Sequence, residues 1–124
     1  MATILVVDDE DVVRNMLVKF LMRHAHTVLA AKNGIEGLSV FQAHKGEIDL
    51  VITDVLMPEM NGPDLVYRLS LVPQKRPLRI IMMTGYAGGL LATEGRVTTR
   101  IIQKPFEMAD FLMIISDELA HLPH

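Results

Sequence analysis

Four short apolar runs in this chain end abruptly in residues that phosphoryl chemistry uses. Ile4-Leu5-Val6-Val7 runs into Asp8-Asp9, Leu50-Val51-Ile52-Thr53 into Asp54, Ile80-Ile81-Met82-Met83 into Thr84, and Ile101-Ile102-Gln103 into Lys104-Pro105. Runs of aliphatic and β-branched residues separated by helical patterns read as buried parallel strands. In open α/β sheets, ligands bind beyond the carboxyl ends of such strands. Three carboxylates, a hydroxyl and an ammonium group are therefore expected around one crevice.

Three carboxylates within about 5 Å of one another would repel by roughly 3 kcal/mol per pair at an effective dielectric near 20. Lys104 brings a single positive charge, so a further cation is expected among them. A set of oxygen ligands without His or Cys favours a hard cation, and a small set leaves room for waters, which suits Mg2+ better than Ca2+. An aspartate carboxylate can attack phosphorus to give an acyl phosphate. Catalysis is then mostly positioning and charge stabilisation. Mg2+ and the Lys104 ammonium would hold two equatorial oxygens and the Thr84 hydroxyl would donate to a third. Strand-end acids also cap helices, and Asp9 or Asp11 alone would be read that way. Two adjacent acids facing a third on the next strand call for more than capping. A cis bond before Pro105 would aim the lysine inward.

The elements that must position these groups alternate along the chain. Residues 3–8 read as a strand, followed by a helix with Val13, Met16, Leu17, Phe20 and Leu21 on one face. Thr27–Ala31 is a second strand, and Asn33-Gly34 opens a helix carrying Ile35, Leu38, Val40 and Phe41. The third strand covers 48–54, and Leu56 to Gly62 is a loop by its Pro58 and Asn61-Gly62. A helix with Leu65, Val66 and Leu69 follows, then a solvated basic loop at 74–77 and a fourth strand over 78–84. Glycines at 85, 88, 89 and 95 predict a short or mobile helix before a fifth strand at 99–103. The last helix spans 106–119 and buries Phe111, Leu112, Ile115 and Leu119. Right-handed crossovers make the flavodoxin-like (βα)5 doubly wound sheet, strand order 2-1-3-4-5, the simplest solution for this α/β chain. Strand three is then central, with Asp54 between the Asp8-Asp9 pair and Thr84. A flavin phosphate is disfavoured there, because the acids would repel a bare anion.

At 124 residues, half of them hydrophobic and 22% charged, the chain is expected to fold as a single domain over 1–124. A net charge of -3 leaves no footprint for direct nucleic-acid binding. The absence of cysteine removes disulfides, thiolate catalysis and cysteine-ligated zinc. No stretch reads as a signal peptide or membrane span, so a cytoplasmic protein without membrane insertion is expected. The five histidines lack metal-ligand spacing, and the nine methionines read as fillers of core gaps.

Asp8-Asp9, the stretch Asp54-Val55-Leu56-Met57-Pro58-Glu59-Met60-Asn61-Gly62, Thr84-Gly85-Tyr86-Ala87 and Lys104-Pro105-Phe106 together resemble the response-regulator receiver domain of two-component signalling. The resemblance spans almost the whole chain, and the ordered set is far more specific than any one piece. It implies that Asp54 is the phosphoacceptor. It implies that Asp9, Asp54 and the Leu56 carbonyl ligate Mg2+, with Asp8 acting through a bound water. Thr84 and Lys104 would contact the phosphoryl group, helped by the amides of Leu56 and Gly85. The donor would be a histidine kinase or a histidine phosphotransfer protein. Asn15, Val18 and Met22 on the first helix, with Phe106, are the candidate partner surface, and Met113 and Ile114 a candidate dimer or output face.

One departure bears on signalling. Receivers often carry Tyr or Phe three residues before the lysine, where this chain has Ile101. A ring-based readout is excluded at that position, and together with the glycine-rich segment 85–95 this suggests ordering of the fourth helix and its preceding loop as the expected response to phosphorylation. Bulky Leu56 and Tyr86, two residues beyond Asp54 and Thr84, predict a long-lived phosphoaspartate. Two rival functions remain at this point. A Mg2+-dependent phosphohydrolase would be expected to carry an Asp two positions after its nucleophile, where Leu56 stands, and a non-phosphorylated pseudo-receiver should have lost some of the acids. The sequence leans slightly towards the receiver of a hybrid histidine kinase over a stand-alone regulator.

Overall fold

The computed structural model describes residues 2–44, 46–73, 78–85 and 97–120. The order of elements is β1 (Thr3–Val7), α1 (Asp11–Arg23), β2 (Thr27–Ala31), α2 (Gly34–Ala43), β3 (Leu50–Asp54), α3 (Gly62–Ser70), β4 (Leu78–Thr84), β5 (Val97–Gln103) and α4 (Met108–Ala120). The glycine-rich segment expected to form a further helix, Tyr86 and the basic loop at 74–77 lie outside the described residues.

The strands form one parallel sheet in the order β2-β1-β3-β4-β5. Period-two alternation splits its side chains between two cores. Leu5, Val7, Val51, Ile80 and Met82 face α2 and α3 with Phe41, Leu65 and Leu69. Ile4, Val6, Leu50, Ile52, Ile81 and Met83 face α1 and α4 with Leu17, Leu21, Phe111 and Ile115. Every residue of β3 is buried, as a central strand covered on both faces requires.

Several element bounds differ from expectation. β1 ends at Val7, and the Asp8 N–H closes its ladder to β2 by donating to Ala31 O at 3.1 Å. β3 begins at Leu50, β5 begins at Val97, and α4 begins at Met108, two residues beyond Phe106.

Met16, expected on the apolar face of the first helix, is exposed, and so is Ile35 of the second. Met16 lies at the rim of the α1 stripe formed by Val13, Leu17, Phe20 and Leu21. Ile35 stands about 120° round α2 from its buried stripe of Gly34, Gly37 and Phe41. That helix approaches the sheet through its glycines: a Cβ on Gly37 would lie 2.9 Å from Val7 Cγ2. Leu112 and Leu119 are only partly buried.

Candidate functional site

The order of the sheet brings the carboxyl ends of β1, β3, β4 and β5 side by side. Val7 pairs with Thr53, Asp54 with Met83, and Thr84 with Gln103, so Asp8, Asp54, Thr84 and Lys104 follow one another across a single edge. Lys104 N–H donates to Thr84 O at 2.6 Å, which ties the last strand end to its neighbour. The Lys104–Pro105 bond is cis.

Asp54 is buried to 7% exposure, and its two oxygens have different partners. Oδ1 accepts from Val55 N–H at 2.9 Å, and Oδ2 accepts from Lys104 Nζ at 3.1 Å. The loop behind Asp54 fits closely around its backbone. Gly62 N–H donates to Val55 O at 2.8 Å, and a Cβ on Gly62 would lie 2.5 Å from Asp54 O. Thr53 Oγ1 donates to the same Asp54 carbonyl at 3.0 Å. Asn61 Oδ1 accepts from Asp64 N–H at 2.9 Å and caps α3, fixing the far end of the loop.

Asp8 is completely buried. Its Oδ1 accepts from Glu10 N–H at 2.9 Å, while its Oδ2 has no hydrogen-bond partner and lies 3.9 Å from Lys104 Nζ. Burial pushes the Asp8 carboxyl above the usual carboxylate range. The Glu10 amide and the Lys104 ammonium oppose that shift, whereas the charges of Asp54 and Asp9 add to it. A buried carboxylate with an open lone pair beside a second carboxylate suits a hard cation. Among the described residues, oxygens of Asp8, Glu10 and Asp54 all lie within 4.8 Å of one another. Mg2+ therefore fits the donor set.

The other expected residues are distributed unevenly. Asp9 is exposed next to Asp8 and lies outside the compact trio. Leu56 and Gly85 follow Asp54 and Thr84 on the same edge, and Leu56 is 63% exposed at its mouth. Thr84 is buried. Of the proposed partner surface, Asn15 and Met22 are exposed, whereas Val18 and Phe106 pack against the core. Phe106 stacks on Phe111 with ring centroids 5.1 Å apart. Met113 is exposed, but its neighbour Ile114 packs inward.

Sequence reasoning missed three residues of the site. Arg14, one turn into α1, donates from Nη1 to Asp8 O at 2.9 Å and pairs through Nη2 with Asp11, holding the loop between β1 and α1. Glu10 joins the acidic trio. Val12 is the most exposed large apolar residue described, and with Met16 one turn later it gives the start of α1 an apolar outer face.

A family model for the response regulator receiver domain matches residues 4–116. The chain belongs to that family. The sensor kinase CckA of Brucella abortus (strain 2308) is 34% identical over 121 residues, covering 95% of this chain and 12% of the kinase. The chain thus corresponds to a small part of that relative. The crystal structure of the receiver domain from the hybrid histidine kinase CckA superposes with a TM-score of 0.78 at 31% identity, covering 95% of this chain and 99% of that one. The response regulator TrrA of Thermotoga maritima, crystallised in complex with Mg(2+)-BeF, gives a TM-score of 0.77 at 26% identity, covering 96% and 100%. This receiver is homologous to the receiver domains of hybrid kinases. No helix among its described residues is long and apolar enough to cross a membrane.

Proposed function

We propose that this receiver, acting as one unit over residues 1–124, is a Mg2+-dependent phosphoacceptor switch in which Asp54 takes a phosphoryl group from a histidine kinase or a histidine phosphotransfer protein. An Asp54 oxygen attacks phosphorus, the P–N bond to the donor imidazole breaks, and the imidazole leaves with its electron pair and takes up a proton. Asp8, Asp9, Asp54 and the Leu56 carbonyl would hold Mg2+, which supplies the positive charge that lets an anionic phosphoryl group approach three acids. Lys104 and Thr84 contact the incoming group through their ammonium and hydroxyl, and the amides of Leu56 and Gly85 complete its cradle.

The observation that carries this reading is the 3.1 Å contact between Lys104 Nζ and Asp54 Oδ2, beside an Asp8 oxygen that is buried without a hydrogen-bond partner. The first supplies a cation next to the nucleophile, and the second supplies a waiting ligand for another. The TrrA complex with Mg(2+)-BeF supports the same chemistry by likeness. Val12 and Met16 at the start of α1 and Leu56 just after β3 are exposed apolar side chains that a donor helix could cover while its histidine reaches Asp54.

Beryllofluoride, a mimic of a bound phosphoryl group, tests the proposal. With Mg2+ it should raise the melting temperature beyond Mg2+ alone, and Asp54→Asn should abolish the added rise. No added stabilisation of the wild-type chain would refute it.

A further inference from the structure

Glu10 has no part in the phosphoryl transfer proposed for Asp54, yet one of its carboxylate oxygens lies within 4.8 Å of oxygens on both Asp8 and Asp54. It occupies the N-cap position of α1 with extended backbone angles (φ -89, ψ 113), where an acidic residue ordinarily bonds the first amides of the helix. Its side chain makes no such bond. The Arg14 guanidinium pairs with Asp11 instead. The Glu10 amide donates to Asp8 Oδ1 at 2.9 Å, so the two residues are held together by their own backbone. The remaining Asp8 oxygen is fully buried, without a hydrogen-bond partner. Glu10 is thus a charged side chain at the open side of a buried acidic site, neither capping its helix nor ion-paired among the described residues.

We infer that Glu10 is a metal-site residue of this chain, holding the hydrated side of the divalent cation that Asp8 and Asp54 face. Mg2+ keeps several of its waters when bound, and a carboxylate on the solvent side can accept from them. This assignment rests on the Mg2+-dependent phosphoacceptor reading. Outer partners of metal ligands affect affinity by about 10- to 100-fold in buried sites. Glu10 is exposed and screened, so its contribution should fall at or below the lower end of that range, about three- to tenfold.

The test is a thermal-melting titration with MgCl2 at fixed ionic strength on the wild type, Glu10→Gln and Glu47→Gln. Glu47 is exposed just ahead of β3, at the opposite end of the strands, so its substitution removes the same charge far from the site. Glu10→Gln should raise the half-saturating Mg2+ concentration about three- to tenfold, while Glu47→Gln should leave it at the wild-type value. Equal half-saturation in the two variants would overturn the assignment of Glu10 while leaving the phosphoacceptor reading standing. A wild-type melting temperature that ignores Mg2+ would overturn both.

Discussion

Lys104 Nζ stands 3.1 Å from Asp54 Oδ2, so the proposed phosphoacceptor is paired with a cation beside the acidic cluster proposed to hold Mg2+. The same ammonium lies 3.9 Å from Asp8 Oδ2, which gives one positive charge two acids to offset. On the Mg2+-dependent reading, lysine and metal would compete electrostatically for the same negative charge in the absence of a phosphoryl group.

Lys104→Met should make that competition visible. Without Mg2+ the variant should lose about 1–2 kcal/mol of stability, because two neighbouring carboxylates lose their cation. Its Mg2+ affinity should rise roughly fivefold, equivalent to about 1 kcal/mol of relieved cation–cation repulsion. Calorimetric titration checks the affinity, and weaker Mg2+ binding would contradict the competition.

Asp8 gives the apo protein a particular pH dependence. Its carboxyl is pushed up by burial, so between the ordinary value of 3.8 and the raised one the folded state binds more protons than the unfolded state. The contribution of Asp8 to stability is fully present below 3.8 and is lost as pH rises through the folded value. At neutral pH the ionised group is a net cost. Asp8→Asn should therefore raise the stability of the Mg2+-free protein at pH 7 and flatten this part of its pH profile. Chemical denaturation in a chelator across pH 4–8 measures it, and parallel wild-type and variant profiles would contradict the assignment.

The Asp54 backbone is held from behind by Gly62. A Cβ there would stand 2.5 Å from Asp54 O and 3.0 Å from Val55 Cα, both of them backbone atoms with little room to yield. Gly62→Ala should cost about 2 kcal/mol or more. It should also slow phosphorylation by displacing the nucleophile. Thermal melting checks the first effect, and a variant as stable as the wild type would show that the loop relaxes freely.

Leu56 is largely exposed at the mouth of the site, where an apolar side chain offers no hydrogen bond to an incoming water. Leu56→Asn places an amide there and should shorten the phosphoaspartate lifetime several-fold. Decay of the phosphorylated species after removal of the donor measures this, and an unchanged lifetime would count against the residue's influence on hydrolysis.

The strand ends were legible because β1, β3 and β4 are covered on both faces and read as unbroken apolar runs, so their polar termini stand out. α2 was harder to read. It buries Gly34 and Gly37 against its surroundings, and glycine adds nothing to a hydrophobic pattern, so the apolar residues Ile35, Leu38, Val40 and Phe41 do not by themselves reveal which face is buried. Arg14 and Glu10 leave no periodic signal, because their roles depend on how the loop between β1 and α1 turns back on Asp8. The same holds for Glu118, a buried carboxylate on α4 that pairs with Arg79 of β4 across 39 positions of sequence. Its place in a helix otherwise rich in apolar residues looks like an ordinary solvated position.

Intact mass spectrometry after incubation with a small phosphodonor tests the central claim most directly. A single phosphoryl adduct should form with Mg2+, fail to form in a chelator, and be absent from Asp54→Asn. No adduct on the wild-type chain, or one that persists in Asp54→Asn, would contradict it.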